Sequence, residues 1–310
     1  MSETDLQEAD SVQITVLVDN YIDMFVVSAS ATDRRPFLPP PAALLAEHGL
    51  ACLIEVTSGM KKHSILMDTG ISKSSLFHNA RLLGCDLAGV EALVLSHGHF
   101  DHIGGVLEFY RQIGKSIPLV LHPDCFLTRR LNRPGKEPIA LPMLDETSLR
   151  DAGAPLHLRK GTSTLADSLL LATGEIERRT SFEKGFPGME AHVHDRWSAD
   201  PINDDQALVV KVKGKGLVIL SGCAHAGIIN TVEHVKRLTR TDHVHAVLGG
   251  FHLTGPIFEP LIRPTLDEMK RIKPDVIVPM HCTGWKAIGQ FAREMPEAFI
   301  LNTVGTSYAL

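Results

Sequence analysis

The sequence lacks the features that would place it in a membrane, outside the cell or on nucleic acid. No run approaches the roughly 20 apolar residues a spanning helix needs, so no membrane segment is expected. The first ten residues, MSETDLQEAD, are acidic and polar, the opposite of a secretory leader with a basic start and an apolar middle. The five cysteines (Cys52, Cys85, Cys125, Cys223 and Cys282) are odd in number and scattered, which is no disulfide framework and suits a reducing cytoplasm. Cationic excess is also missing. With 31 Lys and Arg against 36 Asp and Glu, the formal net charge of −5 suits neither nucleic acid nor anionic lipid as a partner. There is no Gly-x-Ser-x-Gly elbow and no P-loop, which removes serine-triad and nucleotide-driven chemistry. The expectation is a cytoplasmic protein with a small-molecule partner, with assembly into a homo-oligomer left open.

What is present suits a folded enzyme. The 310 residues are 44% hydrophobic and 22% charged, an ordinary globular balance. No fixed-period repeat breaks the chain, so one large domain over residues 1–310 is expected. Val12–Val18 reads as a strand, and residues 34–41 as a Pro-rich loop followed by a short helix that stops at Gly49. Ala51–Val56 and Ser64–Met67 read as an antiparallel pair, and residues 72–83 as a helix ended by Gly84. Ala92–Leu95 is a short buried strand, Ile103–Ile113 a helix and Pro118–His122 a strand. From residue 123 to 204 the pattern is irregular, with short strands at Leu156–Leu158 and Leu169–Leu171, which predicts a lid or substrate-binding insertion. Regularity returns with a hairpin (206–212, 217–220) and with helices at 226–240, 264–272 and 284–293. Strands are read at 244–248, 276–278 and 298–301. Strand pairs followed by strand–helix alternation give an α/β protein whose sheets carry helices outside.

Histidine is over-represented, at sixteen residues, and its placement carries the chemistry. His97, His99, Asp101 and His102 sit at i, i+2, i+4 and i+5 directly after the buried strand. Neutral imidazoles with a carboxylate suit zinc or iron(II) rather than magnesium or calcium. Gly98 permits a tight turn so that His97 and His99 converge on one ion, leaving Asp101 and His102 to face a second.

With those residues in view, the chain resembles the metallo-β-lactamase superfamily. His97-Gly-His-Phe-Asp-His102 matches its HxHxDH signature, and Leu66-Met-Asp68-Thr-Gly70 its strand-end aspartate. Val16–Asn20, Glu47–Gly49, Gly174–Ile176, Asp205–Leu208, Ser221–Gly227, Gly249–His252 and His281–Gly284 are similar to the subgroup of dihydropterin ribofuranosyl-aminobenzene phosphate synthases of methanopterin biosynthesis. The resemblance implies an αβ/βα sandwich of two mixed sheets with outer helices, its halves at about 12–122 and 205–310. It also implies two divalent metal ions: zinc, with iron or manganese as alternatives. His281 would be the last ligand of the second metal and His225 the remaining histidine of the first. Where many relatives carry a bridging Asp, this chain has Gly222-Cys223, so Cys223 is either a thiolate ligand or a packed residue. Asp68 would orient a ligand histidine, and Asp19, His48 and His252 would line the pocket.

Two such ions would lower the pKa of a shared water toward ~7 and supply an attacking base, with Asp101 orienting it. Arg178 and Arg179, and less directly Arg129, Arg130 and Arg133, are candidates to clamp an anionic substrate. A phosphate ester, a cyclic phosphodiester and a lactone all suit this layout. A catalytically weak metal-bearing binding or sensing protein is the alternative. A di-iron redox enzyme lacks its flavodoxin domain here, and a nuclease lacks its basic groove.

Overall fold

The computed structural model describes residues 6–28 and 30–310, so the first half of the acidic N-terminal stretch lies outside the described residues. Two sheets face each other. The first has eight strands in the order Leu156–Leu158, Leu119–Leu121, Ala92–Val94, Lys61–Met67, Ala51–Ser58, Ser11–Val18, Ser307–Ala309 and Asp33–Arg34. The second runs Ser163–Leu165, Leu170–Ala172, Ala207–Val212, Gly216–Ser221, Val244–Gly250 and Val276–Met280, with Glu8–Ala9 also pairing along Ala207–Val212.

Strand periodicity explains the layering. Alternate side chains leave opposite faces of a strand, and the central strands here are apolar on both. Ile14, Val16, Ile54 and Met67 meet Leu208, Val210, Leu248 and Val278 in the core between the sheets. Leu17, Leu53, Leu66 and Leu93 point the other way, against Leu76 and Phe109 of the helices Ser75–Leu83 and Val106–Ile113. On the far side Val209, Ile219 and Ile277 pack under Val232, Leu266 and Phe291 of the helices Ile228–Thr239, Ile262–Ile272 and Trp285–Glu294. The result is the αβ/βα sandwich.

Two parallel strand sets aim at one edge. Lys61–Met67, Ala92–Val94 and Leu119–Leu121 run parallel in the first sheet, as do Gly216–Ser221, Val244–Gly250 and Val276–Met280 in the second. Their carboxyl ends release Asp68, Ser96–His102, Cys223–His225, His252 and His281, the position where open α/β sheets collect ligands.

Several local expectations need correction. The helix read at 103–113 is two pieces, Phe100–Ile103 and Val106–Ile113, parted at Gly104-Gly105. A Cβ at Gly104 would stand 2.0 Å from the Ile71 carbonyl oxygen, so close backbone approach sets the break. No helix forms over residues 42–48, just before Gly49. The Asn79 side chain takes the Leu45 N–H at 2.8 Å and donates to the Leu45 and Leu17 carbonyls at 2.8 and 2.7 Å, satisfying backbone groups a helix would have paired. Residues 298–301 make only a single bridge, Phe299 to Ile277, and the closing strand is Ser307–Ala309.

The segment 123–204 is more regular than its sequence suggests. Arg196–Ala199, Met189–Val193, Arg129–Arg133 and Lys136–Ala140 form a third, four-stranded sheet. Its strands are charged and largely exposed, so they lack an apolar alternation. The root of this sheet is buried. Arg129 Nε donates to Asp200 at 2.6 Å and a terminal nitrogen to Asp204 at 2.7 Å, while the second Asp204 oxygen accepts the Gly98 N–H at 2.8 Å. Replacing Arg129 by Ala leaves two buried carboxylates without their cation. The expected loss is about 3–5 kcal/mol of unfolding free energy, read by urea denaturation; a loss below about 1 kcal/mol would show that the clip is not structural.

Candidate metal centre

The site is built where the parallel strands end. Ala92–Val94 leads into Ser96 and the turn His97-Gly-His99, and the short helix Phe100–Ile103 then presents Asp101 and His102. Asp68, Ala224, His252 and His281 all leave their strands in the left-handed region, with φ of 60°, 54°, 46° and 52°. That conformation is costly for residues other than glycine and gathers at functional sites.

Two groups of side chains result. His97, His99 and His225 bring ring nitrogens within 4.8 Å of one another, with ring centroids 4.6–4.8 Å apart. Asp101, His102, His281 and Cys223 form the second group under the same limit. There His102 Nε2 lies 3.2 Å from Cys223 Sγ, and Asp101 Oδ2 lies 3.3 Å from His281 Nε2 and 3.7 Å from His102 Nε2. Cys223 also falls within reach of His225 and His252, which puts its sulfur at the junction of the two groups.

Hydrogen bonding behind the rings fixes which nitrogen points inward. Asp68 Oδ2 accepts from His102 Nδ1 at 2.7 Å and from the Ser96 hydroxyl at 2.6 Å, and Oδ1 takes the Ser96 N–H at 2.7 Å. With its proton given to Asp68, the Ser96 oxygen accepts from His97 Nδ1 at 2.9 Å. A Cβ at Gly222 would stand 2.2 Å from that hydroxyl, so only glycine fits before Cys223. Asn20 clamps His281, with Oδ1 3.2 Å from Nδ1 and its amide donating to the His281 carbonyl at 3.1 Å.

The inward nitrogens are left over. Nε2 of His97, His99 and His281 and both nitrogens of His225 are buried without a hydrogen-bond partner, a state that costs roughly 1–3 kcal/mol per group. Burial, reinforced by neighbouring imidazoles, holds His97 and His225 well below the ordinary histidine range. Burial with the nearby Arg129 guanidinium pushes His99 down to about 3. These rings are therefore neutral, the form that ligates metals. Burial opposes charge on Asp101, but His102, His281 and His99 together hold its carboxyl well below the usual range. Neutral imidazoles, a carboxylate and a thiol around shared points are a donor set that fits divalent transition metals.

The other expected site residues are placed unevenly. Asp68 stands behind His102 and Ser96. His48, its side chain 57% exposed, lies on the rim 3.4 Å from Asp101 Oδ2 and 5.2 Å ring to ring from His281. His252 packs 4.4 Å from His225 and against Phe186 and Phe258, as a wall of the site.

Three residues expected to contact substrate are engaged by partners within the chain. Asp19 is buried behind His281 and accepts a 2.6 Å bond from Asn302. Arg178 donates to the Pro201 and Ile202 carbonyls, tying down its own loop. Arg179 pairs with Glu177 at 2.9 Å. Glu183 caps the helix after His225, accepting from Ile229 and Asn230 N–H at 2.9 and 2.8 Å, and burial pushes its carboxyl up to about 7. Ser96, Asn20, Asp204, Phe186 and Lys184, which lines a small cavity with His225 and His252, escaped sequence reading. Ser96, directly before His97, and Asn20, at the end of the Val16–Asn20 stretch, carried a positional signal.

This fold is matched by known proteins. The model of the metallo-beta-lactamase superfamily matches residues 51–281, and the chain belongs to that superfamily. Among its relatives is the 7,8-dihydropterin-6-methyl-4-(beta-D-ribofuranosyl)-aminobenzene-5'-phosphate synthase of Methanocaldococcus jannaschii. The two are 34% identical over 266 residues, which covers 82% of this chain and 87% of the synthase. An uncharacterized protein of the same archaeon is 29% identical over 80% of this chain and 88% of its own length. The crystal structure of Tm1679, described as a metal-dependent hydrolase of the beta-lactamase superfamily, superimposes with a TM-score of 0.74. It covers 96% of this chain and 98% of its own at 23% identity, a likeness of fold.

Asp68→Asn keeps the shape of the side chain but removes the carboxylate that fixes the His102 tautomer. Metal affinity is expected to fall about 10–100-fold with the circular dichroism spectrum unchanged; equal affinity in a chelator competition would refute the role given to Asp68.

Proposed function

We propose that this chain is a metal-dependent hydrolase of a small substrate, holding two divalent ions, zinc in the first instance. The observation that carries the reading is the convergence of buried imidazole nitrogens in two adjoining groups, unpartnered and neutral at His97, His99 and His225. His97, His99 and His225 would hold one ion. Asp101, His102 and His281 would hold the other, with Cys223 beside both. When bound, such ions act as Lewis acids on a polarised substrate oxygen and make water a stronger acid at neutral pH.

The chain's own residues supply the rest. Asp68 and Ser96 keep His102 and His97 in the tautomers that turn Nε2 inward, and Asn20 does the same for His281. Asp101, charged throughout the physiological range, sets Oδ2 between His102 and His281 and beneath the exposed His48, where it can help hold an ion and orient the attacking water. His48 stands beside Asp101 and His281, and His252 and Lys184 stand beside His225. They are the groups offered to a polar or anionic substrate end, such as a phosphate ester, cyclic phosphodiester or lactone.

The 34% identity to a synthase favours a second reading, in which the same centre activates a substrate for joining to another molecule rather than to water. Metal-loaded protein should hydrolyse bis-p-nitrophenyl phosphate or simple lactones, lose that activity to a chelator and regain it with zinc. His97→Ala and Asp101→Ala should both drop to background. Isotopically labelled water should leave one oxygen in the product. Transfer without solvent oxygen would favour the synthase-like reading. A panel with no chelator-sensitive turnover would leave a metal-bearing binding or sensing protein.

A further inference from the structure

Segment 21–47 leaves the metal centre and returns to it. Before it, Asn20 grips His281; at its end the Glu47 N–H donates to the Asp19 carbonyl at 3.1 Å, and His48 stands over Asp101. Beneath this segment lies a cavity of about 410 Å³ walled by Ile22, Met24, Pro36, Leu38, Leu44 and Val304. Its volume is that of a ligand pocket, and its lining is mostly apolar.

The polar groups that reach the cavity are already engaged. Arg35 pairs with Asp33 at 3.0 Å and donates to the Leu301 carbonyl at 2.6 Å. Asp23 accepts from the Phe25 N–H at 2.9 Å and from the Tyr21 hydroxyl at 3.2 Å, and the Thr303 hydroxyl accepts the Asp23 N–H at 3.0 Å. A guest would therefore be held chiefly by apolar contact.

Tyr21 stands along the chain between this cavity and the metal centre, and an exposed tryptophan pairs with it. Trp285 opens the helix that follows the His281–Thr283 turn, and its side chain is left in solvent at 71% exposure. Its ring lies 6.2 Å from that of Tyr21, which sits between Asn20 at the metal centre and Ile22 in the cavity wall. Phe25 and Val27, a few residues further along the segment, are 80% and 81% exposed. Large apolar side chains in water beside a reactive centre mark a recognition surface, and the arginines that might have recognised an anion are spent elsewhere.

Resting on the reading of the metal centre as the place of reaction, we infer that the substrate carries an apolar arm beside its reacting group. This arm, aliphatic or aromatic, crosses Tyr21 and Trp285 and fills the cavity beneath residues 22–44. Alkylphosphonates separate the two ends, since the phosphonate probes the metals and the chain probes the cavity. In calorimetric titrations of the zinc-loaded protein, affinity should rise about three- to fourfold per added methylene from methyl- to butyl- to octylphosphonate.

Ala43→Phe, which fills the cavity from its wall, should flatten that dependence while zinc content and methylphosphonate affinity stay as they are. Trp285→Ala should reduce it without filling anything. Equal binding of methyl- and octylphosphonate, no binding of octylphosphonate, or a chain-length dependence that survives both substitutions would overturn the inference. If methylphosphonate alone does not bind, the reading of the metal centre fails. Octylphosphonate then tests the cavity by itself: binding lost in Ala43→Phe supports the inference, and binding retained overturns it.

Discussion

Burying nitrogen and oxygen atoms that find no partner within the protein is the constraint on which the rest of this structure depends. Seven side chains converge at one edge of the sandwich, and the inward nitrogens of four of them have no hydrogen bond to the chain. Hydrophobic packing cannot offset such an arrangement locally, so it persists because the surroundings over-determine it. Three features work together: parallel strands that end in register, a carboxylate shared between His102 and Ser96, and an amide clamp on His281. Each removes a freedom that the ligand rings would otherwise use to satisfy themselves. A bound cation would convert the same cost into folding free energy, since metal affinity and folding are linked when a site is assembled only in the native state.

The same logic places the backbone strain. Asp68, Ala224, His252 and His281 turn left-handed as they leave their strands, and none is a glycine. The register of the parallel strands holds these exits, so precision at the centre is inherited from the sheets rather than from the loops. This is also why Cys223 comes to lie at the junction of the two groups: the strand end determines what meets there.

Much of this was legible in the sequence, and the misses have physical causes. Central strands buried on both faces announced themselves as unbroken apolar runs, and the spacing from His97 to His102 specified the first cluster without any fold. His225 and His281 needed the family resemblance, because nothing local distinguishes a ligand histidine from a packed one. The third sheet was hidden because Arg129–Arg133 and Arg196–Ala199 carry charge where periodicity is sought. The setting of Arg178 and Arg179 was not legible, because a position near a familiar stretch says nothing about where a guanidinium turns; here carbonyls and Glu177 hold them. The cavity under residues 22–44 was invisible for a related reason: a Pro-rich loop has no repeat by which its inner side chains can be recognised.

The buried root of the third sheet and its outer strands are under different physical constraints. Arg129 joins Asp200 to Asp204, and Asp204 in turn holds the backbone between His97 and His99, so a change at this junction disturbs the histidine turn directly. The outer strands, Lys136–Ala140 and Arg196–Ala199, touch nothing in that turn and are free to drift, lengthen or acquire new contacts. Divergence among proteins built on this plan should therefore concentrate on the leaf of the insertion and spare its stem.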